Sequence, residues 1–588
     1  MSDALSAPRS ALPVPRLIDL WKPVPNVPPM RFPGFPVVLA WFGLVLAARA
    51  ESAAGLPPEV AASVSRGRML YAANCSICHQ ITGRGTKGTY PPLAGSDWLA
   101  AHRSEAIRAV VGGLNQPITV KGESYHGAMP AQVLTDAQVA DVLTYVMNSW
   151  GNPGGQFAAA EVAAVRATTD FKTFEALKQA SDFRPLPPAP AGFDLAEVAR
   201  LPEFATRLAS DGKGTKLFVL GQNGSVWRLD LGTKKLKQIL WPTNYPGLKN
   251  ADFGTLGLTL DAQRRLWITF NQRVDSRPLV TNEVGIFRTS AFDTDGDPIA
   301  PQLWFRTSYP YGIGPYNHGI SDIRFGPDGL LYVCSGSRTD GGETGEAPNL
   351  GKMGEVDITA GVWRFDPQAA EPKLEVVARG IRNPYSLGWN GLGQLFTVAN
   401  GPDAHAPEEM DFITPPKPGE APEHHGFPYQ FTDAPADKKW YPYTPAAPAG
   451  LHFVLPVINT GPAALLEGKP TGTFTPHSSP AGLVWLDDSW PESVRNSFLV
   501  GRFGNLIPGV NNEDTGFDVL NLKMTRTAPD RWTTTANTFL APLARPIDLH
   551  VAGHRIYVLE YTRPTDFKGK LGWLPGRILA LTPRPTSR

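Results

Sequence analysis

From about residue 201 onward, apolar and polar positions alternate in short runs, and one phrase keeps returning: an apolar strand, a tight turn containing glycine, then a strand rich in aromatics. Ile323-Arg324-Phe325-Gly326-Pro327-Asp328-Gly329-Leu330-Leu331-Tyr332-Val333 is one instance, and Leu387 to Val398 is another. Leu258–Asp261 leading to Leu266–Thr269, and Leu549–Ala552 leading to Ile556–Leu559, repeat the pattern. Outer-strand phrases follow, as in Val226-Trp227-Arg228-Leu229, Val362-Trp363-Arg364-Phe365 and Arg577–Leu581. Six such units are expected, near 202–240, 253–306, 319–380, 382–435, 479–526 and 545–583. Proline crowds residues 403–478, where the strand pattern fades, so loops over one face are expected there.

Before residue 150 the period is helical. Val64 to Ala73 predicts a helix, and Thr135 is placed as the N-cap of another whose stripe is Val139, Val142, Leu143 and Val146. Residues 151–200 open on Gly151-Asn152-Pro153-Gly154-Gly155 and nearly end on Pro185–Pro190, which reads as a linker with a helix from Ala158 to Arg166. The expected organisation is therefore an N-terminal segment 1–50, a small all-α domain at 60–150, a linker at 151–200, and an all-β domain at 201–588. Repeats of this kind make the last of these a six-bladed β-propeller.

Composition fits that division. Proline and glycine number 58 each, which suits a turn-dense β protein. A net charge of +1 gives no basic footprint for nucleic acid. The apolar run Phe35–Ala48 is short for a membrane span and ends in Ala48-Arg49-Ala50, an A-x-A-like cleavage site before Glu51. It reads as a secretory signal whose charged end is Met30-Arg31, with Met30 as the start and residues 1–29 as an upstream extension. The alternative is an uncleaved anchor, which alone would give membrane association. Either reading puts the mature chain outside the cytoplasm, periplasmic or secreted from a bacterium.

Chemistry enters at Cys75-Ser76-Ile77-Cys78-His79. Two thiols two residues apart reach the two vinyl groups of a haem, and the following histidine reaches the iron. A redox pair does not need that histidine, and a zinc site needs more cysteines than the remaining Cys334, which is expected in a strand core. With Tyr90–Gly95 and Tyr125-His126-Gly127-Ala128-Met129-Pro130, the stretch resembles a class I cytochrome c domain. The resemblance implies one covalent haem c with His79 and Met129 on the iron, His126 being the rival ligand. Met69 and Met147 are expected in helix cores. It also implies that the Pro92 carbonyl orients His79. A thioether ligand raises the potential, as an electron carrier requires.

Over residues 201–583 the chain resembles the soluble quinoprotein glucose and sorbosone dehydrogenases, six-bladed propellers that bind pyrroloquinoline quinone (PQQ) and Ca²⁺. Asn317-His318-Gly319 ahead of Phe325–Val333, and Gly380-Ile381-Arg382-Asn383-Pro384 ahead of Asn400-Gly401-Pro402-Asp403, carry the likeness in the family's order. It implies His318 as the general base, and imidazole chemistry suits that role near neutral pH. It implies Arg382, Asn383, Arg502 and Arg545 as cofactor contacts, since a tricarboxylate needs guanidinium and amide donors. The carbonyls of Gly401 and Pro402 are implied as Ca²⁺ ligands. Two departures stand out: the family's second arginine is Ile547 here, and the carboxylate expected to orient the base is Ser337, with Asp322 or Asp340 as substitutes. His424-His425 invite a metal reading that the loop context does not favour.

Two functions follow as expectations. One is a PQQ- and Ca²⁺-dependent dehydrogenase of a sugar or related alcohol, feeding its own haem and then a downstream acceptor such as another cytochrome, a quinone or an oxidase. The tether would hold the haem at high effective concentration. The other is a non-catalytic propeller that binds a ligand or partner beside an electron-transfer cytochrome.

Overall fold

The structure is a computed structural model that describes residues 56–585, apart from 76–78, 81, 86–89, 115–116, 126–128, 130–131, 133, 170–185, 249–252, 276–278, 313–316, 348–349, 435–438, 442, 462–463, 467–468, 506–514 and 563–574. The expectations for the signal segment, Met30, Cys78 and His126 lie outside the described residues, as does that for the side chain of Met69.

The helical domain holds α1 (Pro58–Asn74), α2 (Asp97–Ala101), α3 (Arg103–Gly112) and α4 (Asp136–Met147), with a hairpin of Ile118–Val120 and Glu123–Tyr125. Proline at the first turn of α1 lacks only an N–H that the helix could not have used. Thr135 caps α4 as expected, and Gln138 returns a bond to the Thr135 N–H, completing a capping box. Val139, Val142, Leu143 and Val146 are buried. Helices α1 and α4 meet at Gly67, where an added Cβ would lie 1.9 Å from the Asp141 carbonyl oxygen. Beside that crossing, Asp141 accepts from Ser63 Oγ at 2.6 Å and from both arms of Arg66 at 2.6 and 2.7 Å. Helix α5 (Ala159–Thr168), within the expected linker, packs on α3 and α4 and is tied there by Arg103–Glu161 and Arg166–Asp136.

Six sheets form the propeller, antiparallel except for one short parallel edge strand in each of two of them. Blade 1 begins with strand Ala205–Ser210, blade 2 with Phe253–Gly254 and Leu258–Leu260, blade 3 with Ile320–Phe325, blade 4 with Pro384–Trp389, blade 5 with Pro480–Leu486 and blade 6 with Pro546–Ala552. First strands of successive blades pack side by side, and blade 6 meets blade 1 to close the ring. The outer strand of blade 6 is Phe193–Arg200, paired with Pro575–Pro583. That strand lies in the expected linker. Only its Phe193 is buried, so its alternation is weak, and the prolines before it masked the strand signal. Blade 4 differs as well. It has three strands ending at Ile413, and Glu423–His424, expected within it, pairs in parallel with Glu375–Arg379 of blade 3. Blade 5 runs on to Leu540, beyond its expected end.

The first strands carry a buried charge network. Arg207 of blade 1 donates to Asp548 of blade 6 at 3.2 Å and to carbonyls of Leu256 and Tyr385. Arg324 of blade 3 donates to Asp322 at 2.8 Å and to the Leu483 carbonyl of blade 5. Asp322 also accepts from Ser386 and Leu387 of blade 4. Two arginines and two aspartates thus stitch all six blades, with their lone pairs used by backbone donors as buried charges require.

Candidate functional site

In the helical domain an apolar cleft is lined by Cys75, His79, Tyr90, Pro91, Pro92, Met129, Val142 and Leu143, among others. His79 follows α1 and is buried, which lowers its pKa and keeps the ring neutral. Its Nδ1 stands 3.0 Å from the Pro91 carbonyl. That corrects the expectation for Pro92 by one residue; the consequence is unchanged, since the proton sits on Nδ1 and Nε2 is left for a metal. Met129 is fixed by a two-way backbone bridge with Leu114, at 2.9 and 2.7 Å. A histidine and a methionine in one apolar cleft, beside a cysteine, fit a covalently held haem. Met147 is buried on α4 as expected.

On the propeller, backbone bonds gather most of the expected residues. His318 N bonds to Ser337 O, Ser337 N to Arg382 O, and Asn400 N to Asn383 O. His318 Nδ1 is 3.2 Å from Ser337 Oγ and 3.3 Å from Ser337 O. The Ser337 hydroxyl gives its own proton to the Thr339 carbonyl at 2.8 Å, so its oxygen faces the imidazole as an acceptor. Nδ1 therefore carries the proton, and Nε2 is the basic nitrogen. Neither expected substitute carboxylate touches the base: Asp322 belongs to the axial network, and Asp340 holds Arg382.

Arg382 is braced. Its Nη2 donates to Asp340 Oδ1 at 2.6 Å, Nε to the Asp340 carbonyl and Nη1 to Asn400 O. Asp340 also receives the Tyr441 hydroxyl and the Asp403 N–H. Arg502 is engaged similarly, by both oxygens of Asp518 at 2.8 and 2.7 Å and by Thr475. Arg545 lies between the rings of Phe503 and Phe517, at 4.8 and 5.1 Å, and donates to the carbonyls of Gly504 and Asn505. Burial lowers Arg545 to about 10, against the pull of Tyr90 and Tyr561. Ile547, where the family has a cation, is buried in the apolar cluster between blades 6 and 1. Glu408 joins the two halves of the site: Gly401 N, Ser478 Oγ and Ser479 N all donate to it. Burial raises Glu408 to about 7. No sequence signal marked Glu408 or Tyr441, which act through contacts distant in the chain.

These groups fit an anionic ligand at one point: Arg545 is a desolvated cation whose pKa an anion would restore. Nearby, Asn400 Oδ1 and His477 Nε2 are buried atoms with no hydrogen-bond partner among the described residues. His405 and His477 stack at 5.6 Å, both at positive φ, +61° and +59°. The other histidines take no part. His424 accepts from Gly426 N, and buried His425 lies 3.4 Å from Asp411. Among the described residues, the one acidic group close enough to share an ion is Asp293, Asp295 and Asp297, already bridged by Lys216, Arg228 and Lys237. Cys334 is buried, as expected of a core residue. Among the described residues no helix is long and apolar enough to cross a membrane.

The helical fold and its His–Met cleft define a haem-binding electron carrier. A family model described as cytochrome c matches residues 64–150. Cytochrome c-552 of Thermus thermophilus is 37% identical over 111 residues, covering 17% of this chain and 84% of that protein. Through this domain the chain belongs to the cytochrome c family. The cytochrome c subunit of the quinone alcohol dehydrogenase of Gluconobacter oxydans is 32% identical over 107 residues, and the cytochrome subunit of the fructose dehydrogenase of Gluconobacter japonicus is 33% identical over 110; each match covers 17% of this chain and 22% of the relative. Among solved structures, the PQQ-bound aldose sugar dehydrogenase of Streptomyces coelicolor superposes with a TM-score of 0.42 at 19% identity, covering 67% of this chain and 99% of that one. The apo soluble aldose sugar dehydrogenase of Escherichia coli gives 0.44 at 16%, covering 67% and 100%.

Proposed function

We propose that the chain is an extracytoplasmic dehydrogenase, periplasmic or secreted, that oxidises a sugar or related alcohol with PQQ and Ca²⁺ in its propeller and delivers the electrons to its own haem. The observation that carries this reading is the His318 tautomer: a half-buried imidazole whose Nδ1–H is spent on Ser337 and whose Nε2 is left basic. Two relatives of the haem domain are, by name, cytochrome subunits of dehydrogenases, which is the partnership proposed here within one chain.

PQQ, when bound, supplies a two-electron acceptor for the hydride of the substrate carbon. Everything else is the work of this chain's residues. His318 Nε2 takes the hydroxyl proton as the C–H bond breaks, a contribution of about 10²–10⁴ in rate. The Ser337 oxygen holds the ring in place and steadies the imidazolium less than a carboxylate would. Arg545 and Asn383 would hold the anionic cofactor, the first by charge and the second by its amide. Arg382 and Arg502, each neutralised by an aspartate, shape the pocket through directed N–H groups rather than net charge. The carbonyls of Gly401 and Pro402 are the proposed Ca²⁺ ligands, on a loop that Glu408 pins. In the cytochrome, His79 and Met129 would hold the haem iron and Cys75 and Cys78 would attach the porphyrin. The acceptor downstream is another cytochrome, a quinone or an oxidase.

The engagement of Arg382 by Asp340 and of Arg502 by Asp518, together with Ile547, favours the second reading, a propeller that binds a ligand without catalysis. Titrating the purified protein with PQQ in Ca²⁺ buffer separates the two. The dehydrogenase reading expects saturable binding that Arg545→Ala weakens, by about 1.5–3 kcal/mol for a lost charge-assisted bond. Absence of binding to the wild type would establish the non-catalytic reading.

A further inference from the structure

Trp98 is half-buried and lines the haem-domain cleft together with His79 and Met129. The face of its indole lies against the exposed imidazole of His102, with ring centroids 5.1 Å apart and planes at 18°. Short α2 holds the pair in place. The Ser96 hydroxyl caps it by accepting from Leu99 N at 3.3 Å, and Asp97 Oδ1 accepts from Trp98 N and Lys121 N, each at 2.9 Å. The Lys121 bond, with Lys121 Nζ on the Ala94 carbonyl at 2.7 Å, ties α2 to the hairpin. His102 Nδ1 stands 2.9 Å from the Trp98 carbonyl, which only accepts, so the ring donates there and keeps Nε2 as an acceptor. Tyr90, another residue of the cleft, lies close enough to Arg545 of the propeller to pull on its charge. The cleft thus has one rim turned to the propeller and another, at Trp98 and His102, turned to solvent.

We infer that Trp98 and His102 are the docking centre for an external protein acceptor, a haem protein with a basic face, to which the haem domain passes its electrons. This rests on the cytochrome reading of the helical domain and stands apart from the chemistry of the propeller. Electron transfer falls off steeply with distance, so an acceptor must seat where the cleft reaches the surface. An aromatic pair inside a polar rim has the make-up of a protein-binding centre, and tryptophan is among the residues that most often carry its energy. The rim sets the partner's charge. Asp97 adjoins Trp98, Glu105 lies one turn on from His102, and Glu123 sits across the hairpin from Val120 of the cleft; all three are exposed. Against them stands Lys121, while Arg103 is neutralised by Glu161. A net acidic rim attracts a basic partner face. The step moves one electron: the haem iron here goes from Fe(II) to Fe(III), the partner's from Fe(III) to Fe(II), and no bond or proton changes place.

The test uses the full chain with its haem reduced by dithionite and then desalted, so the propeller's chemistry plays no part. Stopped-flow follows the loss of the reduced haem band on mixing with oxidised, lysine-rich mitochondrial cytochrome c, and separately with ferricyanide, a small oxidant that needs no docking face. Calorimetry measures the affinity for the same cytochrome. The wild-type rate with the cytochrome is expected to fall as salt is raised. Trp98→Ala should slow that reaction about 10-fold or more, and His102→Ala and Glu105→Lys about 2- to 5-fold each. Affinity should fall in step, with no slowing of the ferricyanide reaction. Because Trp98 borders the cleft, its variant counts only if the haem spectrum is unaltered; His102→Ala and Glu105→Lys decide otherwise. An unchanged cytochrome rate in His102→Ala, or an equal slowing with ferricyanide, overturns the docking centre. An unchanged or faster rate in Glu105→Lys, or a wild-type rate that rises with salt, overturns the basic partner. A chain purified without a haem band would instead fail the cytochrome reading, and the inference with it.

Discussion

Ser337 decides how His318 behaves. A neutral hydroxyl fixes the tautomer but adds no negative charge beside the imidazolium that forms when the ring takes a proton. Ser337→Asp should therefore favour the charged ring and move the acid limb of the kcat/KM pH profile upward, by about one unit for a carboxylate in contact. A profile that stays in place would show that Nδ1 does not face residue 337 in the working enzyme. His318→Ala should lower turnover about 10²–10⁴-fold and leave PQQ binding nearly intact. In the haem domain, Met129→Ala should give a high-spin or ligand-exchanged spectrum, since the cleft then keeps only His79 of the pair; an unchanged spectrum would hand the sixth position to another side chain. At this scale the sequence was legible where chemistry is local. The Cys75–His79 motif and the residues around Thr135 carry their meaning in a few neighbours. Asp340 could not be read in that way: its partners Arg382, Asp403 and Tyr441 lie far along the chain, and only the fold brings them to one carboxylate.

Elements tell the same story through periodicity. Apolar runs beside glycine turns marked the inner strands, because a strand packed on both faces must be apolar almost throughout. Phe193–Arg200 escaped because an outer strand shows most of its side chains to solvent, and its partner lies at the other end of the chain. Blade 4 was drawn too long because Glu423–His424 pairs for two residues only, too short a run for any pattern. The first strand of blade 6 also carries a titratable group. Burial, with Arg324 nearby, lowers His550 to about 4, and its Nε2 is buried with no hydrogen-bond partner among the described residues. The unfolded chain takes up this proton near pH 6.5, well before the folded one. His550 thus costs the propeller nothing above about pH 6.5, and costs stability progressively as pH falls toward 4, by about 1–3 kcal/mol. Denaturant midpoints measured at pH 7 and pH 4.5 should show the decline, and His550→Gln should flatten it. At the crossing of α1 and α4, Gly67→Ala should destabilise the haem domain by several kcal/mol, because the intruding methyl meets backbone that cannot yield; a thermal melt followed at the haem band measures it.

Across the whole molecule, closure and charge work together. Strand Phe193–Arg200 enters just after the haem domain and completes the last blade, so the start of the propeller is fastened to its end. The axial network adds a second tie. Asp548→Ala would leave buried Arg207 with one of its two carboxylate partners, Asp322 at 3.6 Å, at a cost of about 3 kcal/mol, and the propeller transition should fall while the haem transition stays. In the proposed reading, function at this scale rests on two cofactor sites in one chain. The proposed account holds that electrons pass from substrate to haem without leaving the molecule. The direct measurement is anaerobic stopped-flow of the PQQ- and Ca²⁺-loaded protein mixed with saturating sugar and no external acceptor, following the reduced haem band at several protein concentrations. The account predicts haem reduction at a rate independent of protein concentration and lost in His318→Ala. A rate that rises in proportion to protein concentration, or a haem that stays oxidised while the loaded protein turns over sugar with an artificial acceptor, would contradict it.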